Sequence, residues 1–486
     1  MSPRFLIVGF DALRPELATP EHAPNLARWL SSAARLQNAR SVFPSETKVA
    51  MASIATGGWP GAHGIVANGY YEPRTGDGKL FDTGNVAQLA AVTEAAHGAL
   101  VTAPTLGGAL KAGGKRYLTV STGTAGNARF LNPRAREQGL VAYSIMGDAA
   151  SSAEADFEGC VAKFGSPPPA AVPNTARCQY GARLFLEHFL PQHQPHVGLL
   201  WLSEPDISFH YRGVGEPESL EALRAMDEIF GDVLGWRDAQ PDAADIQIIA
   251  LSDHGQIAVK GRIDVIGAMQ AAGFRAADHY QDDIDYVVLA SSSGNIWVRD
   301  DDPKLIQAIA DWLMKQDWLG MLFARDTALA PGALPLDLVQ NNHPRTPPLC
   351  FILGTDDQVS RFGLPGRSYV GADPMPDNET GGVHGGLHPA ELSTLLAFGG
   401  SMFMQSVDLS APAGLVDIAP TILAAYGLSS DGMQGRTLSE TFARSKSMPD
   451  VQFKSFSAAS GNFRQTLRIS EVDGRQYIEG GGRVTE

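Results

Sequence analysis

The sequence predicts an α/β protein: a doubly wound, mostly parallel sheet flanked by helices, with a smaller cap subdomain inserted into it. Three observations predict this. Largely continuous apolar runs occur at Phe5–Phe10, Val197–Leu202, Ile246–Leu251 and Leu349–Leu353, the pattern of parallel strands buried on both faces. Segments of helical period lie between them, as in a chain that winds back and forth across one sheet. Three of the four runs deliver acids or histidines at or just beyond their carboxyl ends, where such sheets hold their ligands.

In chain order, Phe5–Phe10 ends on Asp11, and Pro24–Leu30 follows as a helix opened by a first-turn proline. Val197–Leu202 stops just before Glu204-Pro205-Asp206. Leu220–Val233 carries Leu220, Leu223, Met226, Ile229 and Phe230 at helical spacing. Ile246–Leu251 runs into Ser252-Asp253-His254-Gly255. Residues 257–345 read differently, with alternating segments at Ile284–Leu289 and Gly294–Val298, a helix over Leu305–Leu313, and a solvated acidic turn at Asp300-Asp301-Asp302. They are expected to form the inserted cap, leaving residues 1–256 and 346–486 as the core unit. Pro167-Pro168-Pro169 marks a surface loop. The tail after Val451 is expected to form an edge hairpin.

A chain of 486 residues, 44% hydrophobic, buries a sizeable core with ease. Its 38 basic and 53 acidic residues give a net charge of −15. That balance argues against binding a nucleic-acid polymer or an anionic membrane, both of which need a basic footprint. It leaves phosphate substrates open, because bound cations reverse the local field of a deep site. Cys160, Cys178 and Cys350 are widely spaced and odd in number, so reduced, buried thiols are expected. The run that opens at Phe5 is too short for a signal sequence, and no apolar stretch is long enough to span a membrane. The cytoplasm is the expected location, and the oligomeric state stays open.

The candidate ligands are carboxylates and imidazoles. Asp11 closes a strand. Asp206 and His210 are four apart and share a helical face if a turn follows Asp206. Asp253 and His254 close a further strand, and His384 lies in the glycine-flanked Gly382-Val383-His384-Gly385. Oxygen and nitrogen donors of this kind suit zinc, and also manganese or iron. Six are more than one catalytic ion needs, so two metals are expected, an arrangement that clamps the attacking and leaving oxygens of a phosphoryl displacement. Phe43-Pro44-Ser45-Glu46-Thr47 precedes a helical segment ending at Gly57-Gly58. Thr47 is expected at its N-cap, where free backbone N–H groups favour an anion. Asn68 offers an amide to a phosphoryl oxygen.

On these residues the chain resembles the alkaline phosphatase superfamily, in its nucleotide pyrophosphatase/phosphodiesterase branch. The matching stretches are Gly9–Arg14, Phe43–Thr47, Ala55–Asn68, Ser203–Asp206 with His210, Ser252–Gly255 and Gly382–Gly385. Val416–Thr421 with Met433–Arg436 extends the likeness late into the chain. The resemblance implies an alkaline-phosphatase-like fold and two zinc ions, one held by Asp206, His210 and His384, the other by Asp11, Asp253, His254 and the hydroxyl of Thr47. It implies a covalent phospho-threonine at Thr47, which water then hydrolyses, and an oxyanion role for Asn68.

Departures bear on the substrate. Nucleotide-hydrolysing relatives carry a base-stacking aromatic just after the threonine, and here that position is Lys48. Trp201, five before Asp206, stands where the second stacking aromatic is expected, and Tyr70 and Tyr71 are candidates for the pocket rim. Lys48 places a cation beside the reacting group. His388 follows His384 by four and is a supporting or incidental histidine. The leading expectation is hydrolysis of small phosphodiesters or pyrophosphates such as nucleotides. Phosphonoacetate hydrolase is the close alternative: it is similar around Tyr70-Tyr71-Glu72-Pro73, but its substrate-gripping lysines have no counterpart in Thr119–Thr124. A phosphomonoesterase, and a non-catalytic metal-binding relative, are the remaining readings.

Overall fold

The structure, a computed structural model, describes residues 3–72, 79–96, 100–371, 381–445 and 448–484. Pro73, part of the phosphonoacetate-hydrolase likeness, lies outside them. The main sheet has eight strands: β1 (Arg4–Asp11), β2 (Ala34–Leu36), β3 (Tyr117–Ser121), β4 (Val141–Ser144), β5 (Val197–Pro205), β6 (Ile246–Ser252), β7 (Leu396–Gly399) and β8 (Val407–Leu409), in the order β8-β2-β7-β6-β1-β5-β3-β4. From β6 to β4 every pairing is parallel, and β7 joins antiparallel to β6.

The apolar runs follow from where they sit. β1 lies between β5 and β6, with Phe5 opposite Val197 and Gln247. Leu6, Val8 and Phe10 face one helical layer, where the helix Pro217–Asp238 buries Leu223, Met226, Ile229, Phe230 and Val233. Phe5 and Ile7 face the other, with Val49, Met51 and Ile54 of the helix α1 (Thr47–Thr56). A strand covered on both sides has no face for polar residues.

Leu349–Leu353 departs from expectation. It is not in the parallel sheet but in a second sheet of six strands, paired antiparallel with Ser293–Val298 and Leu319–Ala324. Leu349, Phe351 and Leu353 pack on the helix Pro303–Leu313, while Cys350 and Ile352 pack with Leu467, Ile469 and Ile478 of the tail. Burial on both faces is what the sequence registers, and it does not say which sheet supplies it. The second sheet therefore runs past residue 345, where the cap was expected to end.

The tail forms a three-stranded antiparallel sheet, Val451–Ser460, Phe463–Val472 and Arg475–Arg483, rather than a hairpin. In the acidic string, Asp302 caps the helix Pro303–Leu313 by accepting from Lys304 N. The three cysteines are buried and unpaired. Among the described residues no helix is long and apolar enough to cross a membrane.

Candidate active site

The carboxyl ends of β1, β5 and β6 converge, and the polypeptide beyond each supplies donors. Asp11 is the last residue of β1. Asp206 opens the helix α2 (Asp206–Arg212) directly after β5, which brings His210 one turn above it on the same face. Asp253 and His254 follow β6. His384 comes from far along the chain, after the short strand Gly382–Val383, which pairs with Ile257 and Ala258.

These six residues form two sets, Asp206 with His210 and His384, and Asp11 with Asp253 and His254, the potential ligand atoms of each set lying within 4.8 Å of one another. The Nε2 atoms of His210 and His384 are 3.3 and 3.6 Å from Asp206 Oδ1. His254 Nε2 is 3.3 Å from Asp253 Oδ2 and 3.7 Å from Asp11 Oδ1. The sets are adjacent: the rings of His254 and His384 stack with centroids 3.7 Å apart.

Backbone carbonyls orient the three imidazoles. His210 Nδ1 lies 2.9 Å from Gly382 O, His254 Nδ1 3.2 Å from Gly255 O, and His384 Nδ1 2.8 Å from Ser45 O. A carbonyl only accepts, so each Nδ1 carries the proton and each Nε2 keeps its lone pair toward the centre. The carboxylates are divided in the same way. Asp253 Oδ1 accepts from Ala12 N and His254 N, both at 3.0 Å, and Asp11 Oδ2 accepts from Trp201 Nε1 at 3.1 Å. Their other oxygens, Asp253 Oδ2 and Asp11 Oδ1, are buried and have no hydrogen-bond partner among the described residues.

Burial, with the nearby charge of Asp206 adding to it, pushes Asp253 up to about 7, and burial and Asp253 raise Asp11 well above the usual carboxylate range. Burial likewise lowers His254 to about 4, and His384 well below its ordinary value. Clustered buried acids with orphaned oxygens facing neutral imidazole nitrogens are a donor set that fits divalent cations.

Thr47 Oγ1 lies 3.1 Å from His254 Nε2. Thr47 is the first residue of α1 rather than its N-cap; Glu46 takes the cap position, with extended backbone angles. The hydroxyl still sits at the helix N-terminus, where the dipole favours developing negative charge. Asn68 is fixed at both ends of its role: Oδ1 accepts from Lys48 N at 3.1 Å, and its own backbone N–H donates to the Glu46 carboxylate. Glu46, buried next to Thr47, was not legible in the sequence as part of the site, nor was Ser45, whose carbonyl aims His384. Their place inside the Phe43–Thr47 stretch was the available signal.

Two substrate-binding expectations are corrected. Trp201 is fully buried on β5, its ring against Gly9 and its N–H spent on Asp11; it orients that carboxylate and has no face to offer a base. Tyr70 is also fully buried, edge-on to Phe81 with ring centroids 5.2 Å apart, because its strand turns that side chain into the core. Tyr71 lines a separate groove with Tyr280 and Arg299. His388 caps the helix Pro389–Leu392 by accepting from Ala390 N, and its Nε2 meets Asp357, away from the centre.

Two clefts open on the centre. The larger, about 910 Å³, reaches Asn68, His210 and His384 and is walled by Phe81, Val288 and Leu289. The smaller, about 400 Å³, contains Asp11, Thr47, Lys48 and Asp206.

The comparisons with known proteins agree with this architecture. Murine ectonucleotide pyrophosphatase/phosphodiesterase 5, solved in an inactive form in complex with AMP, superposes with a TM-score of 0.64 at 14% identity, covering 91% of this chain and 100% of its own. At that identity the likeness is one of fold. No curated protein sequence matches significantly. The family profile for type I phosphodiesterase / nucleotide pyrophosphatase matches residues 5–355, well over half of the chain and every site element except His384. The chain thus belongs to the type I phosphodiesterase / nucleotide pyrophosphatase family.

Proposed function

We propose that the protein hydrolyses phosphodiester or pyrophosphate bonds of small, nucleotide-like molecules, with two zinc ions and Thr47 as nucleophile. One observation carries the reading: two adjacent donor sets, each supplying carboxylate and imidazole, flank a buried threonine hydroxyl at a helix N-terminus. Asp206, His210 and His384 would hold one ion, and Asp11, Asp253, His254 and Thr47 Oγ1 the other; manganese or iron suits the same donors. An ion held there would supply Lewis acidity to the Thr47 hydroxyl and to the phosphoryl oxygens.

Thr47 Oγ attacks phosphorus after giving up its proton to solvent, and the Oγ–P bond forms as the bond to the leaving oxygen breaks. The leaving group departs with a proton from water. A second water then cleaves the Oγ–P bond, restoring the hydroxyl and releasing the phosphorylated product. Asn68, its Oδ1 occupied by Lys48 N, turns Nδ2 toward a non-bridging oxygen. The α1 N-terminus adds its dipole to the same charge.

The test compares rates on a nitrophenyl phosphodiester and the matching monoester, using zinc-loaded protein with a chelator control. A chelator-sensitive preference for the diester supports the proposal. Inertness toward both esters with metal bound overturns it in favour of a phosphonate such as phosphonoacetate, the second reading.

A further inference from the structure

The two clefts differ in charge. Among the described residues, the larger is lined by Glu46, Asp82, Asp264 and Asp278 against a single lysine, Lys79. The smaller has only Asp11 and Asp206 as acids, both in the metal-binding sets, and two cations, Lys48 and Arg177. Lys48 makes no side-chain hydrogen bond or ion pair with a described residue, although its charge is close enough to act on Asp11 and His254. Arg177 spends Nε on Pro168 O at 2.9 Å and touches Met146 Sδ with Nη1, but meets no carboxylate among the described residues.

The surroundings hold these groups in place. The stem of Lys48 lies against Gly126 of the helix Ala125–Leu131, where an added Cβ would come within 3.1 Å of Lys48 Cγ. Asn127, on the same helix, is 2% exposed and lines the cleft. Its Oδ1 accepts from Thr124 Oγ1 at 2.7 Å, which leaves Nδ2 as a donor. Tyr211 is the one aromatic side chain among the described lining residues, so the cleft has no pair of ring faces to sandwich a base.

Resting on the phosphodiesterase reading, we propose that the smaller cleft is an anion subsite: Lys48 and Arg177, with the Asn127 amide, bind a carboxylate or phosphate at the end of the substrate arm that stays attached to phosphorus. In-line displacement puts the leaving oxygen on the far side of phosphorus from Thr47. The arm that shares the cleft of Thr47 is therefore the retained one, and a bulky or uncharged leaving arm takes the larger, acidic cleft.

The experiment uses three 4-nitrophenyl phosphodiesters with a common leaving group and a retained ethyl, 2-carboxyethyl or 2-phosphoethyl arm. With zinc-loaded protein, at least one anionic arm is expected to exceed ethyl about tenfold in kcat/KM, the scale of one charge-assisted contact. The ratio of the two anionic arms tells carboxylate from phosphate. Lys48→Gln and Arg177→Gln are each expected to lower the anionic-to-ethyl ratio about tenfold, chiefly through KM, with metal content and the melting transition kept. Turnover of all three esters without anionic preference, or ratios unmoved by both variants, overturns the subsite and leaves the phosphodiesterase reading standing. Turnover of none overturns both.

Discussion

Replacing Trp201 by Phe separates the two roles its position allows. The indole N–H donates to Asp11 Oδ2 at 3.1 Å in a fully buried setting, and no other hydrogen bond holds that carboxylate among the described residues. A hydrogen bond to a charged group contributes about 1.5–3 kcal/mol. If the bond is felt only in the loaded state of the proposed site, its loss should weaken the ion assigned to Asp11 by about 10- to 150-fold, in line with the effect of removing partners of metal ligands. The smaller ring also leaves a void, costing about 1–3 kcal/mol of stability without touching the ligand. Chelator competition on folded protein reads the first effect, and denaturant unfolding of metal-free protein reads the second. Gly9→Ala provides a cross-check: its Cβ would lie 2.3 Å from Trp201 Cε3, so the ring must move and the bond with it. Metal affinity within twofold of wild type in Trp201→Phe would refute the claim that this residue positions Asp11, and would reopen a role in substrate contact.

Thr47→Ala should keep its metal content near wild type and lose about three to six orders of magnitude in turnover; retained turnover would exclude the covalent route. Asp253→Asn should lower metal stoichiometry and activity together, and unchanged stoichiometry by elemental analysis would exclude Asp253 as a ligand. Glu46→Ala frees the Asn68 backbone from its anchor and should reduce kcat about 10- to 100-fold with metal retained, so steady-state rates equal to wild type would rule out that positioning role. Arg345→Ala removes the buried cation that binds the Glu72 carboxylate and the carbonyls of Gly64 and Leu100 at 3.0, 2.7 and 2.7 Å. It should cost about 3–5 kcal/mol in denaturant unfolding, and a midpoint unchanged from wild type would count against this buried network.

The donors themselves were legible in the sequence. Asp11, Asp206 with His210, and Asp253 with His254 each stand at or just after a continuous apolar run, and a parallel strand buried on both faces must deliver its polar residues at its end. Thr47 and Asn68 were legible through the stretches around them. The sequence could not show what each aromatic faces. Trp201 read as a stacking surface for a base and Tyr70 as a candidate for the pocket rim or the core, yet both are core, because a side chain's neighbours are set by the layer packed over its strand. For the same reason Leu349–Leu353 looked like the other buried runs and lies in a different sheet. The pairing of His384 with Ser45, the anchoring of Asn68 by Glu46, and the meeting of Lys48 with Arg177 in one cleft join residues tens to hundreds of positions apart. Local pattern specifies where a strand ends and which residue types it presents; only long-range packing decides which of them share a site.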